Sequence, residues 1–496
     1  MGIIQKGSSL STAYLIIGIM LGFVTSGLLL PNYFTEEQNG VITLLSSYYL
    51  IYSQLALIGL HTTVIRFYPH FKNDENRHHG FLTMMSLVIA FSLILFSFLF
   101  FTSQYLYPNF FGNSPLFIKH YWLVFPLTVF TVYFYLFDAY YSASLKGSRG
   151  FFLKDVIQRI LILIAVVAFI VWKFNFDRFI LIYCAAVCVP TTIFMITLLR
   201  EKQFAFKPSL NHLYADNWKY MTKVSGYSLL LGISWVAINN LDAIMIEKML
   251  DMKQAGIYGR NMFFGILVSI PYRAIHKISS GVISNSFKEG DLANVKSVYY
   301  KSSLNLTIIG AFILGGIWLN IENIYHIIPT SYEAGKYVIL FIGLGNFFMM
   351  MGGVNTAVIS FSPYYRWNTI FVGILLPLVV VNNLIFIPIW QITGAAVATA
   401  LSVFLYNLMM YIFLIKKYKL QPLNIKYLFV FLISAIAFLA ARYIPIMGSF
   451  ILDILVRSTC FTLLFCGLTF AFKLSTDIND VANIVLSKVG IVKKNK

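Results

Sequence analysis

The sequence predicts an all-α polytopic membrane protein with about fourteen transmembrane helices. Three observations carry that expectation. First, 59% of the residues are hydrophobic, 17% aromatic and only 11% charged, whereas a water-soluble domain carries about 25% charged residues. Second, the apolar residues fall into runs of about 20, enough for a helix to cross about 30 Å of hydrocarbon. Lipid offers no hydrogen bonds, so each run must satisfy its own backbone, as a helix does. Third, the lysines and arginines gather on alternate loops, the positive-inside pattern of membrane proteins.

The expected spans run in order at 10–30, 41–66, 81–103, 120–143, 156–172, 179–199 and 225–246. They continue at 257–275, 302–321, 337–360, 368–389, 393–415, 427–444 and 450–472. With the N-terminus inside, the inner segments and helix ends hold 28 of the 37 Lys and Arg, which places both termini in the cytoplasm. The net charge of +18 is thereby spread over short loops and implies no nucleic-acid partner. The first run is too long for a signal-peptide core. Cys184, Cys188, Cys460 and Cys466 sit in apolar runs and read as small hydrophobic side chains, not as a disulfide framework. The outer loops are short, the longest being 104–119. The inner loops 200–224 and 276–301 are expected to hold short surface helices. In the tail 474–496, Ile478, Val481, Ile484, Val485 and Val489 are spaced as in an amphipathic helix on the membrane surface.

An internal repeat organises the chain. Gln38-Asn-Gly40-Val41 follows the first span, and Gln254-Ala-Gly256-Ile257 follows the seventh, at an offset of 216 residues. The same offset lays the first span on the seventh and the third near the ninth. Two six-helix copies of like orientation follow, related by an axis along the membrane normal, as in many transporters. The expected organisation is an N-terminal lobe at 1–216, a C-terminal lobe at 217–426, and two added helices with the tail at 427–496.

Lys6 with Ser8-Ser9, the Glu37-Gln38-x-Gly40-Val41 turn, Asn240-x-Asp242, Gln254-Ala-Gly256-Ile257-Tyr258, and Ile387-Pro388 with Gly394-Ala395-Ala396 bring a known family into view. On these motifs the whole chain resembles the polysaccharide transporters, the oligosaccharide-lipid flippases of O-antigen and capsule synthesis in the MATE-like MOP superfamily. The resemblance implies two six-helix lobes around a cavity open to one side at a time. It implies a bacterial inner (plasma) membrane location. The cargo it implies is a polyprenyl-diphosphate-linked oligosaccharide, moved to the outer leaflet among membrane lipids and alongside polysaccharide polymerase machinery. It leaves H⁺ or Na⁺ coupling open and implies no other cofactor.

A charge inside a span is costly and therefore a candidate for function. Arg66, Arg159 and Arg273 lie near the inner ends of their spans. A guanidinium matches phosphate oxygens and never deprotonates, so these three read either as a substrate-binding ring for the diphosphate or as side chains snorkelling to headgroups. Asn240 and His61 join them as candidate substrate contacts, against a packing role for each. Asp242 and Arg260 match in depth on neighbouring helices, as do Asp138 and Arg159. Asp242, Arg260 and Asp138 are therefore candidates for gating or ion coupling, against static buried pairs. Asp453 and Arg457, four apart, read as a self-neutralising structural pair. Asn346, Asn355, Asn382 and Asn383 could meet sugar hydroxyls or bind helices together.

No P-loop and no metal-ligand spacing is present, and no catalytic residue is assigned. The short outer loops argue against an enzyme. Four readings stay open: the oligosaccharide-lipid flippase, a small-molecule cation antiporter, a peptidoglycan-precursor flippase, and a membrane polysaccharide polymerase or ligase.

Overall fold

Helix starts are set locally. Glu36 and Glu37 occupy the first turn of a helix that Thr35 caps: its hydroxyl accepts from the Gln38 N–H at 3.3 Å, and the Gln38 side chain accepts from the Thr35 N–H at 3.1 Å. This reciprocal box satisfies donors that would otherwise be orphaned, and the acidic turn complements the helix dipole. The repeat reproduces the device in simpler form, with Asp251 Oδ1 accepting from the Gln254 N–H at 2.7 Å. The Gln-x-Gly motif of the sequence is thus a helix start, three residues after its cap.

The computed structural model describes residues 2–73, 77–106, 114–205, 212–480 and 483. The helices are α1 (Gly2–Gly22, continued through a π-helical turn into Leu30–Tyr33), α2 (Glu36–Leu57), α3 (Leu60–Phe71), α4 (Phe81–Leu106) and α5 (Val124–Ala143). A second π-helical turn, Phe152–Ile157, leads into α6 (Gln158–Trp172), followed by α7 (Phe176–Arg200), α8 (His212–Met249), α9 (Met252–Ile266) and α10 (Ile270–Glu289). The remainder are α11 (Leu292–Leu319), α12 (Lys336–Met351), α13 (Asn355–Phe361), α14 (Arg366–Tyr418), α15 (Ile425–Arg442) and α16 (Phe450–Ala471). Among the described residues there is no strand.

Among the described residues, twelve helices are long and apolar enough to cross a membrane, and the protein is a multi-pass membrane protein. One of the twelve, α14, has 53 residues. At about 1.5 Å per residue it would be roughly 80 Å long, against about 30 Å of hydrocarbon. It is broken at Trp390 and Gln391, where Gln391 takes φ 51° and ψ −132°, and so supplies the eleventh and twelfth expected spans. The eighth expected span is the run α9, a 3₁₀ turn at Leu267–Ser269, and α10. It is absent from the twelve and carries Arg260, Arg273 and Lys277.

The chain divides into two compact units, Met1–Arg260 and Asn261–Lys496. In the first, α5 is central, packing on α2, α3 and α7. Two apolar cores fill this unit, one around Leu45, Tyr48, Phe117 and Phe179, the other around Phe67, Phe81, Phe137 and Phe194. The repeat assigns α8 and the start of α9 to the second copy, yet they pack with the first unit. Gly59 (φ 74°) explains much of this: a Cβ there would lie 2.1 Å from the Ser225 carbonyl of α8. Thr63 and Ser225 hydroxyls pair at 2.7 Å beside it.

In the second unit α11 packs on α12 and α15, and α12 on α14. The two last helices are integral to its core: Val430, Ile433, Phe461 and Phe465 pack with Leu306, Phe347 and Met350. Asp453 and Arg457 form a buried pair at 3.0 Å, with Asn323 donating to Asp453 at 2.7 Å and Arg457 to the Ile444 carbonyl at 3.1 Å. The segment 276–301, expected to hold short surface helices, is helical in continuity with the long α10 and α11, which meet at the Gly290–Asp291 turn. Of the tail, Leu474 and Ile478 pack on the second core. Most of the expected amphipathic stretch lies outside the described residues.

Candidate functional site

The second π-helical turn brings charge into the first unit. A π turn inserts a residue into the helix and is often found at functional sites. Here it carries Lys154 and Asp155, with Arg159 one turn on. Lys154 Nζ donates to the Tyr135 hydroxyl at 3.2 Å and lies 4.6 Å from that ring's centre and 5.4 Å from Phe134's. A cavity of about 20 Å³ adjoins it, lined also by Tyr49, Thr131 and Gln158, room for about one water. Arg159 lies 3.9 Å from Asp155. Its guanidinium rests against Gly22 of α1, where any Cβ would come within 1.9 Å of Nη1.

Asp138 of α5 fits only because residue 150 is glycine: a Cβ there would be 1.7 Å from Oδ1. Across from it, His61 Nε2 of α3 is 4.0 Å from Asp138 Oδ2. Two carboxylates therefore sit with a lysine, an arginine and a histidine. The side chains of His61 and Arg159 keep 41% and 35% of their exposure. Ionisable groups inside a span generally face the bundle interior or a water-filled cavity, not lipid tails.

The opposite end of α2 is closed and buried. Asp242 is fully buried and accepts from the buried Tyr258 hydroxyl at 2.5 Å. Arg260 donates to Thr43 Oγ1 at 3.3 Å. Gly40 and Gly256, the paired glycines of the repeat, meet here. A Cβ on Gly256 would be 1.9 Å from the Glu36 carbonyl, and one on Gly40 2.3 Å from the Met252 carbonyl. Glu247 is buried in the same region.

Arg66 is exposed, hydrogen-bonds the Tyr220 hydroxyl, and lies 5.0 Å from that ring's centre. Asn240 returns its amide to the Val236 carbonyl of its own helix at 2.8 Å. Arg273 is exposed on α10 of the second unit. In that unit Asn382 donates to Ser402 at 2.9 Å and Asn355 to Asn407 at 3.1 Å, bonds that bind helices together. The structure thus gathers His61, Asp138 and Arg159 in one charged cluster and Asp242 and Arg260 in one closed one.

Sequence reasoning missed Lys154 and Glu247. Lys154 lies close to the start of its span, like the cations of the inner loops; the spacing of Lys154, Asp155 and Arg159, all within one and a half turns, is the signal in the sequence. Glu247 stood too near a helix end to register as intramembrane.

No described protein family and no curated protein matches the sequence. Solved structures do match. A lipid II flippase MurJ in an inward closed conformation superposes with a TM-score of 0.72 at 13% identity, covering 97% of this chain and 100% of that one. The protein has the fold of the MurJ and MATE transporters. An inward-facing multidrug-resistance MATE transporter of the MOP superfamily gives a TM-score of 0.63 at 11% identity over 81% of this chain and 97% of its own. The Vibrio cholerae MATE transporter VcmN gives 0.54 at 10% identity over 85% and 99%. In this MATE-like fold the two last helices are shared over nearly the whole length with the flippase.

Proposed function

We infer that the protein is a lipid-linked oligosaccharide flippase. It carries a polyprenyl-diphosphate head group from the cytoplasmic to the outer leaflet of a bacterial inner membrane by alternating access, with both termini cytoplasmic. The observation that carries this reading is the cluster of Lys154, Arg159 and His61, all three half-buried, with Lys154 and Arg159 inside an apolar span. A diphosphate cannot cross a dry interior without such partners. Arg159 offers a flat two-pronged donor, and Lys154 a compact charge that the Tyr135 and Phe134 rings hold in place. Arg66 and, in the second unit, Arg273 are further cationic candidates for the diphosphate in this reading, and Asn240 meets the sugar. Asp138 competes with the ligand for His61, so binding and gating are linked. A cationic-drug antiporter would present carboxylates in excess, and this cluster does not.

The near-complete superposition on a lipid II flippase supports a second reading, in which the head group is a peptidoglycan precursor. Ion coupling, to H⁺ or Na⁺, belongs at Asp242 in either case. Sidedness of the lipid-linked sugar tests the proposal. On depletion of the protein, full-length units should accumulate on the cytoplasmic leaflet of vesicles, with their mass naming the sugar. Units that cross normally but remain unpolymerised would overturn it in favour of a polymerase or ligase.

A further inference from the structure

Two further cavities lie in the first unit, and one of them meets the small cavity beside Lys154 at Thr191. One, of about 490 Å³, lies among α4, α5 and α7 and is lined by Ser86, Tyr133, Phe137, Thr192, Met195 and Phe204. All but Phe204 belong to apolar spans, so this cavity sits at hydrocarbon depth. Met195 on its rim is 39% exposed. The other, of about 430 Å³, lies at the helix ends and includes Tyr68, Lys72, His78, Tyr140, Lys146 and Glu201. Neighbouring residues line the two, although none lines both. On α5, Phe137 lines the first and Tyr140, one turn on, lines the second. After α7, Phe204 lines the first and Gln203 the second. The Phe137 and Phe204 rings touch at 6.2 Å, and the Tyr140 hydroxyl donates to Gln203 at 2.6 Å.

The polar cavity is cationic. Its carboxylate is already engaged: Arg149 reaches Glu201 at 2.7 Å, and the Tyr141 hydroxyl donates to it at 3.1 Å. Lys72 and Lys146 are exposed, and Lys146 adds its charge to that of Arg149 beside Glu201. His78 is buried, and its Nδ1 accepts from the Asn73 N–H at 3.1 Å. Its Nε2 lies 3.4 Å from the Tyr68 hydroxyl. An apolar slot at membrane depth that ends in a basic cleft at the helix ends has the polarity of a lipid molecule.

We propose that these two cavities together bind one anionic glycerophospholipid, its phosphate between Lys72 and Lys146 and one acyl chain among α4, α5 and α7. The site shares none of the transport cluster's charged residues and does not depend on which cargo is moved. The lipid would join the ends of α3, α5 and α7, which otherwise meet through the Tyr68, Tyr140 and Gln203 network.

The test reconstitutes the full-length protein in nanodiscs of equal phosphatidylglycerol and phosphatidylcholine and reads retained lipid by native mass spectrometry. The wild type should keep phosphatidylglycerol preferentially. Each of Lys72→Gln and Lys146→Gln should weaken retention about five-fold, the equivalent of about 1 kcal/mol per basic residue at a membrane surface. Lys296→Gln, a basic residue of the second unit, should change nothing. Ser86→Trp, or Thr192→Trp if the first fails to fold, should fill the chain slot and lose the lipid with both lysines intact. Equal retention of both lipids by the wild type would overturn the proposal. So would undiminished retention in the Lys72/Lys146 double variant. Glycerol 3-phosphate in detergent distinguishes a soluble anion from a lipid: thermal protection equal to that by the lipid, and unaffected by the tryptophan, would also sink it.

Discussion

Lys154 is the residue on which the charge argument turns. It combines a tyrosine hydroxyl, two aromatic faces and a nearby carboxylate, and loses little freedom when a phosphate takes over one of its donors. Lys154→Gln should keep the packing and lose the charge. A charge-assisted hydrogen bond contributes about 1.5–3 kcal/mol, so flipping should fall about 10–100-fold with Tm nearly unchanged, measured as lipid-linked sugar reaching the outer leaflet of proteoliposomes. Arg159→Lys should fall less than Arg159→Gln, because the charge remains while the two-pronged geometry goes. Equal losses would mean that only charge matters there. Glu201, outside the spans, makes a separate residue-scale prediction. Partial burial disfavours its charge, but the hydrogen bond and charge of Arg149 outweigh that and hold its carboxyl below the ordinary range. The stabilisation is therefore present above the ordinary carboxylate pKa and is lost as pH falls through the lower folded value. Since both side chains are partly exposed, Glu201→Gln should cost only about 0.2–1 kcal/mol near pH 7. The difference in Tm from wild type should vanish at acid pH.

Helices here meet where glycine lets them. Gly40 and Gly256 are the same motif position in the two copies, and each leaves room for a backbone carbonyl near the other's helix start. Gly256→Val should prise α9 from α2, loosen the buried Asp242–Tyr258 bond, and expose Asp242 to carboxyl-reactive reagents that do not reach it in the wild type. Labelling that stays unchanged would show that the contact does not hold that end closed. At the other unit, α16 depends on its buried ion pair. Asp453→Ala strands Arg457 in an apolar core, a change that costs about 3–5 kcal/mol; the drop should appear in thermal unfolding in detergent, with Asp453→Ala/Arg457→Leu recovering part of it. These elements also show what the sequence could and could not reveal. The apolar runs, the four-residue spacing of Asp453 and Arg457, and the Gln-x-Gly repeat were all legible, because each is a local pattern. The π turn that redirects Lys154 was not, since it changes helical phase without a compositional mark. The break in α14 was legible through Pro388 and Gly394, yet its focus at Gln391, a non-glycine residue with positive φ, was not.

For the molecule as a whole, the count of crossings and the sign of the loops make one prediction together. With α14 crossing twice and α9–α10 crossing once, the loops near Lys202 and Lys419 lie on one side, the side of the basic residues, and the loop at Gly448 lies on the other. Single cysteines at 202, 419 and 448, placed in a chain whose native Cys184, Cys188, Cys460 and Cys466 are replaced, should label from the cytoplasm at the first two and from outside at the third. Labelling of all three from one side would break the count of fourteen. The division of the chain by packing at Arg260 and the division by repeat at 216 ask different questions. The first follows which side chains touch, the second which segments repeat a short sequence motif, and α8 answers them differently because Gly59 and Ser225 let it lie against α3.

The π turn at 152–157 also acts as an offset in register. One surplus residue separates the phase of the helix before it from the phase of α6 after it. Remove a single residue there and the stretch would relax to ordinary α-helix, turning one side against the other by about 100°. Gly150 and Arg159 would then no longer face Asp138 and Gly22 at once. A one-residue deletion should consequently cost more than any single substitution in that turn, although it removes no charge when taken at Val156.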